Sequence, residues 1–107
     1  MGQRMYIDFS KLGGPVFTGR DRGEDTRRQL KLDSVSGDDD VQVVIPETVY
    51  TVTSSYFLGL LGKSIRDMGL EGFQRVFKFR APDFLKSRVD EWSMRAVRER
   101  RDLFRGN

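Results

Sequence analysis

The chain has 107 residues, a formal net charge of +3, and neither cysteine nor histidine. The absence of these two residue types excludes thiol nucleophiles, thiolate zinc sites and histidine general bases. A chain of this length can bury its own core without disulfide or metal cross-links. We therefore expect a single domain over residues 1–107 that is not an enzyme and carries no cofactor.

The charge and hydropathy patterns predict the cellular compartment and the kinds of partner of the protein. Lys and Arg number 19 against 16 Asp and Glu, an excess too small to indicate nucleic-acid binding by itself. No apolar segment approaches the length of a membrane span, and the first residues lack the apolar centre of a signal peptide. We therefore expect a cytoplasmic protein without a membrane partner, and the lack of cysteine agrees with a reducing compartment.

Alternating and β-branched segments predict four strands. Residues 4–9 alternate between apolar and polar side chains, which is typical of a half-buried strand. The apolar run 41–45 is rich in β-branched residues and indicates a central strand, with Val41, Val43 and Val44 buried. The predicted strands are residues 4–9, 16–18, 41–45 and 76–79.

Helical spacing of apolar residues predicts the helices. Phe57, Leu61 and Ile65 recur on one face and should pack over the central strand, and Gly69 is a suitable helix terminator. The helices are predicted over residues 24–32, 55–68 and from 83 onward, the last with an inner stripe of Leu85, Val89, Trp92 and Ala96. Together these elements predict the α/β class: a small mixed sheet of three or four strands with helices packed on it.

Hydroxyl side chains fall at the predicted start of the central helix. The free N–H groups and positive partial charge of a helix N-terminus favour an anion. A phosphate on Ser54 or Ser55 would therefore lie in a favourable field. The alternative is ordinary capping of the helix by one of these hydroxyls. The candidate partner-binding surface or phosphorylation site consists of Thr53, Ser54, Ser55 and Tyr56.

The segment 19–28 is a second candidate site, for an anion. Its guanidinium groups could converge on one phosphate, since arginine binds oxyanions in a bidentate manner. The alternative is a solvated helix start in which neighbouring acidic residues neutralise the charge. The candidate anion-binding residues are Arg20, Arg22 and Arg27.

Two further charged segments have weaker interpretations. Asp38, Asp39 and Asp40 lack the spacing of a calcium loop, so a turn is the favoured interpretation. The last helix is basic, but a nucleic-acid interpretation needs its cations on one face, and Trp92 falls on the apolar stripe instead. The cations of this helix are Lys86, Arg88, Arg95, Arg98, Arg100, Arg101 and Arg105.

Most of the chain resembles the STAS-like family of bacterial and phage proteins of unknown function, which is itself similar to anti-anti-sigma (STAS) domains. The matching upstream residues are Phe17, Thr18, Gly19, Arg20, Gly23 and Arg27. The matching central and downstream residues are Val44, Ile45, Pro46, the run 50–65, Gly69, Phe73, Phe77, Lys78 and Phe79.

The resemblance implies a regulatory module that docks a partner protein. In anti-anti-sigma domains the first serine at the equivalent helix N-terminus is phosphorylated by a partner kinase, a role that falls on Ser54 here. Two residues depart from the family pattern, because Thr53 replaces an acidic residue and Tyr56 replaces a glycine. The implied partner is an ATPase of the histidine-kinase-like class. A phosphate- or nucleotide-binding module is the alternative, and nucleic acid is the least favoured partner.

Overall fold

The computed structural model describes the backbone of residues 2–105 and the side chains of residues 2–99. Its strands are β1 (Arg4–Asp8), β2 (Val16–Phe17), β3 (Asp40–Val44), β4 (Thr51–Val52) and β5 (Phe77–Arg80). Its α-helices are α1 (Arg20–Gln29), α2 (Ser54–Val76) and α3 (Asp83–Arg105). Short 3-10 turns cover Phe9–Lys11 and Leu32–Ser34.

The strands form two small parallel sheets, one in the order β1-β3-β5 and one that pairs β2 with β4. The predicted α/β class is therefore confirmed, and the sheet pairs are all parallel among the described residues. The sequence did not predict β4, because two residues are too short to show a period. Its pairing with β2 depends on bringing two distant loops together.

The crossover helices α1 and α2 lie on one face of the β1-β3-β5 sheet. Parallel connections are almost always right-handed, and the strand order runs in one direction, so successive crossovers fall on the same side. Ile7, Val41 and Val43 are buried there. Val44 points to the opposite face and is only half-buried, so the prediction that it is buried was wrong. The reason is the two-residue period, since Val44 is out of phase with Val41 and Val43.

The predicted helical faces are confirmed. Phe57, Leu61 and Ile65 are buried in the same apolar core as the central strand. The ring of Phe57 lies 5.2 Å from that of Trp92, and this contact joins α2 to α3. The predicted inner stripe of α3, which comprises Leu85, Val89, Trp92 and Ala96, is also buried.

The ends of the first two helices differ from the prediction, and the first helix ends at Gln29 and not at residue 32. The first helix begins at Arg20 after Gly19, whose φ of 89° is compatible with glycine, and not near residue 24. The first helix has few apolar residues, so the sequence pattern did not indicate where the helix begins. The second helix is interrupted at Gly69, as predicted, where φ is 76°, but helical structure resumes and ends only at Val76.

Candidate functional site

The N-terminus of α2 is capped by Thr53. Its backbone is extended (φ −91°, ψ 158°), and its Oγ1 accepts a hydrogen bond from the Tyr56 N–H at 3.2 Å. Its carbonyl accepts from the Phe57 N–H at 3.0 Å. The cap is therefore the threonine, and neither serine is needed for it. Ser54 is half-buried and Ser55 is exposed, so both hydroxyl groups remain for other contacts.

Arg95 of α3 reaches this helix end. Its Nη1 donates to Ser54 Oγ at 3.4 Å. The same guanidinium lies 3.8 Å (Nε–Oε2) from Glu99, whose carboxylate also contacts Arg20 at 3.3 Å and Arg66 at 3.8 Å. We call Arg20, Arg66, Arg95 and Glu99 the arginine cluster. It joins all three helices, and Arg95 connects it to Ser54.

The carboxylate of Glu99 is the centre of the arginine cluster. The guanidinium groups of Arg20, Arg66 and Arg95 all contact it, at 3.3, 3.8 and 3.8 Å. Arg95 also reaches Ser54 at the N-terminus of α2, where the helix has a positive partial charge. An anionic group near Ser54 is therefore favoured by both the field and the available donors.

Tyr56 lies in the core and not on the candidate surface. Its side chain is 1 % exposed, and its ring centroid is 5.3 Å from that of Phe17. Its hydroxyl is 2.8 Å from Thr26 Oγ1, which satisfies the buried phenol. Burial raises the Tyr56 pKa, while the hydrogen bond with Thr26 lowers it. The prediction that Tyr56 contacts a partner is therefore wrong. Its side chain instead connects α2 to β2, through the ring of Phe17, and to α1, through the hydroxyl of Thr26.

Arg27 also serves the core. It is 8 % exposed, and its Nη1 donates to the Leu60 carbonyl and to Ser64 Oγ, both at 2.9 Å. Its Nε and Nη2 contact Asp33 at 3.0 and 2.8 Å. The donors of Arg27 are thus directed at protein atoms.

The predicted arginine trio does not converge on one point. Arg22 donates to the Val16 carbonyl at 3.4 Å, and Arg20 pairs with Glu99. Arg20 and Arg27 do line one open groove between α1 and α2, with a volume of about 390 Å³. The convergence that the sequence predicted for Arg20 is instead made with Arg66 and Arg95. The remaining groove residues are Glu24, Arg28, Asp33, Leu58, Gly59, Lys63 and Arg66.

Asp38 and Asp39 belong to a turn, as predicted, whereas Asp40 is the first residue of β3. The Asp39 N–H donates to the Ser36 carbonyl at 3.1 Å, and its carboxylate accepts from the Ser36 and Gln3 N–H groups, both at 2.8 Å. These backbone donors lower the Asp39 pKa. Asp40 pairs with Arg4 and Lys78 across the sheet. Among residues 2–99, no group of three potential metal ligands was found.

A second cavity, of about 210 Å³, lies between β4 and the first turns of α3. Tyr50 and Phe84 flank it and are 82 % and 64 % exposed, and Arg88 completes the lining beside Leu85. The sequence did not distinguish these aromatic residues from core residues, because exposure of a single aromatic side chain leaves no periodic signal.

The basic C-terminal helix is described only in part. Trp92 is buried on the apolar stripe, as predicted. The side chains of Arg100, Arg101 and Arg105 lie outside the described residues, so the predicted basic face is described only up to residue 99. Within the described part of the chain, no helix is both long and apolar enough to cross a membrane.

Comparison of the chain with protein-family models, with curated proteins and with solved structures found no match. The resemblance to STAS-like proteins therefore stays a prediction. Sequence reasoning placed Ser54 at the helix end but missed its contact with Arg95 and the contact of Arg95 with Glu99. Arg95 is 41 residues from Ser54 in the chain, and no local pattern connects the two.

Proposed function

We propose that this chain is a non-enzymatic regulatory module that docks a protein partner at the N-terminal end of α2. Phosphorylation of Ser54 or Ser55 controls the docking in this proposal. The observation that carries it is the 3.4 Å contact between Arg95 Nη1 and Ser54 Oγ. A hydroxyl that does not cap the helix N-terminus, with a guanidinium already beside it, is suited to carry a phosphate.

The chemistry of a phosphate at this position supports a switch. It adds about −1.5 to −2 charge and three strong acceptor oxygens. On Ser54 it would compete with Glu99 for Arg95 and Arg20, and so rearrange the arginine cluster. On the exposed Ser55 it would face the partner directly. Either change alters the charge of one surface without disturbing the core, since Thr53 and not a serine holds the cap.

The resemblance to anti-anti-sigma domains suggests the class of the partner. A histidine-kinase-like ATPase of the cytoplasm would both phosphorylate the serine and bind the unmodified surface. The contact surface then comprises Thr53, Ser54, Ser55 and the exposed part of the arginine cluster. Tyr56 supports this surface from below, through its packing against Phe17.

Phosphomimetic variants test the proposal. Purified wild-type protein, Ser54→Asp and the control Ser87→Asp are compared as baits in quantitative affinity capture from the source cells. Ser87 is an exposed serine of α3, so the control adds the same charge elsewhere. We expect Ser54→Asp to change the recovery of at least one partner by about tenfold, the effect of one charge-assisted contact. Identical partner sets for all three baits would contradict the switch.

The arginine cluster favours a second candidate function, the binding of a phosphate or nucleotide without catalysis. Arg20, Arg66 and Arg95 all contact the carboxylate of Glu99, so a phosphate group that took the place of this carboxylate would meet guanidinium donors. Arg22 and Arg27, which the sequence also nominated, are directed at protein atoms. The ligand would displace part of the Glu99 contacts.

Calorimetry with inorganic phosphate and with ATP tests this second function. Arg95→Gln should weaken binding by about tenfold, the loss of one hydrogen bond to a charged group. Glu99→Gln should strengthen binding, because it removes the competing carboxylate. Arg88→Gln on the outer part of α3 serves as the control. If neither ligand gave a heat of binding, the arginine cluster would have only a structural role.

A further inference from the structure

The outer edge of β1 is unpaired among the described residues. β1 pairs with β3 on one side, and no other described strand borders it. The Gln3 carbonyl accepts from the Asp40 N–H at 2.8 Å. In a parallel ladder, every second residue of a strand directs its N–H and C=O groups towards the same neighbouring strand. These groups of residues 3, 5 and 7 therefore point towards β3. The N–H groups of Arg4, Tyr6 and Asp8 therefore point away from the sheet.

The edge is also accessible. Tyr6, at its centre, is 63 % exposed, and the Arg4 side chain is 65 % exposed. The five residues of β1 contain no proline, and no bulge interrupts their pairing with β3. Edge strands without such protection are ready templates for pairing with another chain.

The sequence of β1 is complementary to itself in one antiparallel register. Arg4 and Asp8 stand two residues before and two residues after Tyr6, on the same outer face of the sheet. Antiparallel pairing centred on Tyr6 places Arg4 of one copy opposite Asp8 of the other, at both ends. On the covered face it places Met5 opposite Ile7. The same patch thus meets itself, as a two-fold interface requires.

Other registers are less favourable. A one-residue slip turns the charged residues towards the apolar face. Longer slips either remove the ion pairs or place Arg4 opposite Arg4, or Asp8 opposite Asp8, and like charges directly opposite are destabilising. The strand therefore specifies one register among those available.

The contacts of Arg4 and Asp8 in the single chain do not prevent this pairing. Arg4 contacts Asp40 at 3.2 Å, but Asp40 also has Lys78 at 3.6 Å and the Gln42 amide at 2.8 Å. Asp40 therefore keeps its contacts with Lys78 and Gln42 if the Arg4 side chain turns outward. Asp8 accepts from Ser10 through one carboxylate oxygen, Oδ1, so the second oxygen can accept from an arginine.

We propose that a second copy of this chain occupies the edge, with the two β1 strands antiparallel about Tyr6. The two Tyr6 residues exchange N–H···O bonds, and the Asp8 N–H of each copy donates to the Arg4 carbonyl of the other. The two three-stranded sheets become one continuous sheet with the helices of both copies on the same side. This inference is independent of the proposed function of the α2 terminus.

Sedimentation equilibrium with charge-exchange variants tests the proposal. Wild-type protein should form a species of about twice the 12.4 kDa chain mass. Arg4→Asp alone and Asp8→Arg alone should each raise the dimer Kd by about tenfold or more, because each places like charges opposite at both ends. The double exchange Arg4→Asp with Asp8→Arg should restore the Kd to within about threefold of wild type. Arg80→Asp, on the opposite edge strand β5, is the matched control and should leave the Kd unchanged.

Tyr6→Pro makes the test independent of charge. Proline removes the outward N–H, and edge strands tolerate it on that side. Circular dichroism checks that each variant remains folded. We expect a folded Tyr6→Pro monomer. A wild-type chain that stays monomeric up to about 1 mM, a dimer that survives Tyr6→Pro, or single and double exchange variants of equal Kd would each overturn the proposal.

Discussion

Gly23 of α1 and Gly59 of α2 lie against each other where the two helices cross. A Cβ atom on Gly23 would be 2.3 Å from the Tyr56 carbonyl oxygen, and one on Gly59 would be 2.2 Å from the Arg20 carbonyl oxygen. Both distances are far below contact distance with backbone atoms, which cannot move aside as a flexible side chain can. The close crossing holds Arg20, the first residue of α1, against the part of α2 that follows Ser54.

Alanine at either glycine should therefore destabilise the protein. Gly23→Ala and Gly59→Ala should each lower the free energy of unfolding by about 1–3 kcal/mol or more, since the added methyl group forces the helices apart. Chemical denaturation measures the change. Gly37→Ala is the control, because nothing lies within 4 Å of its Cβ position. Equal stabilities of Gly37→Ala and Gly59→Ala would show that the crossing is looser than described.

Arg27 should contribute to stability and not to ligand binding. Arg27→Ala removes donors from the Leu60 carbonyl, Ser64 and Asp33, and should cost about 1.5–3 kcal/mol, the usual range for hydrogen bonds to a charged group. Arg28→Ala, an exposed neighbour, should change stability by about 0.5 kcal/mol or less. Urea titration compares the two. A neutral Arg27→Ala would return Arg27 to the candidate anion site.

The capping role of Thr53 can be separated from the role of the serines. Thr53→Ala should cost about 1 kcal/mol, because the Tyr56 N–H loses its side-chain acceptor. Ser55→Ala should be nearly neutral, since Ser55 is exposed and does not cap the helix. Thermal unfolding of both variants provides the measurement. A larger loss from Ser55→Ala than from Thr53→Ala would move the cap to the serine.

Acid should weaken the turn before β3. The N–H groups of Ser36 and Gln3 hold the Asp39 pKa below that of an unfolded aspartate. The stabilisation is therefore complete above about pH 4 and is lost as the pH falls through the folded-state pKa. Asp39→Asn should be less stable at neutral pH and lose less stability on acidification. Asp38→Asn is the control, and melting curves from pH 2 to pH 7 that coincide for the two variants would contradict this.

Acidification should also affect the end of β1 and the start of β3. The Ser10 hydroxyl and N–H lower the Asp8 pKa, and the Gln42 amide, Lys78 and Arg4 lower that of Asp40. Their contributions have the same sign as that of Asp39, and each is lost as the pH falls through the folded-state pKa of its own carboxyl group. The variant comparison at Asp39 isolates one carboxylate from this common effect.

The sequence by itself determined the elements with a clear period. The two-residue alternation of β1, the β-branched apolar run of β3 and the helical stripes of Leu61 in α2 and Val89 in α3 follow from which side chains must leave water. Gly69 was identified as a helix break because its lack of a Cβ permits positive φ. These features depend on neighbours within a few residues, so a linear pattern is sufficient to predict them.

Only the tertiary structure decided what surrounds Ser54. Arg95 reaches its hydroxyl from a different helix, Tyr56 turns into the core, and Arg27 is directed at Leu60 and not at an anion. These outcomes depend on how closely α1 crosses α2 and on where α3 returns to the sheet. The sequence specifies the charge and size of each side chain. Its partner across 41 residues of chain is set by packing, because many arginines could reach a serine and the fold selects one.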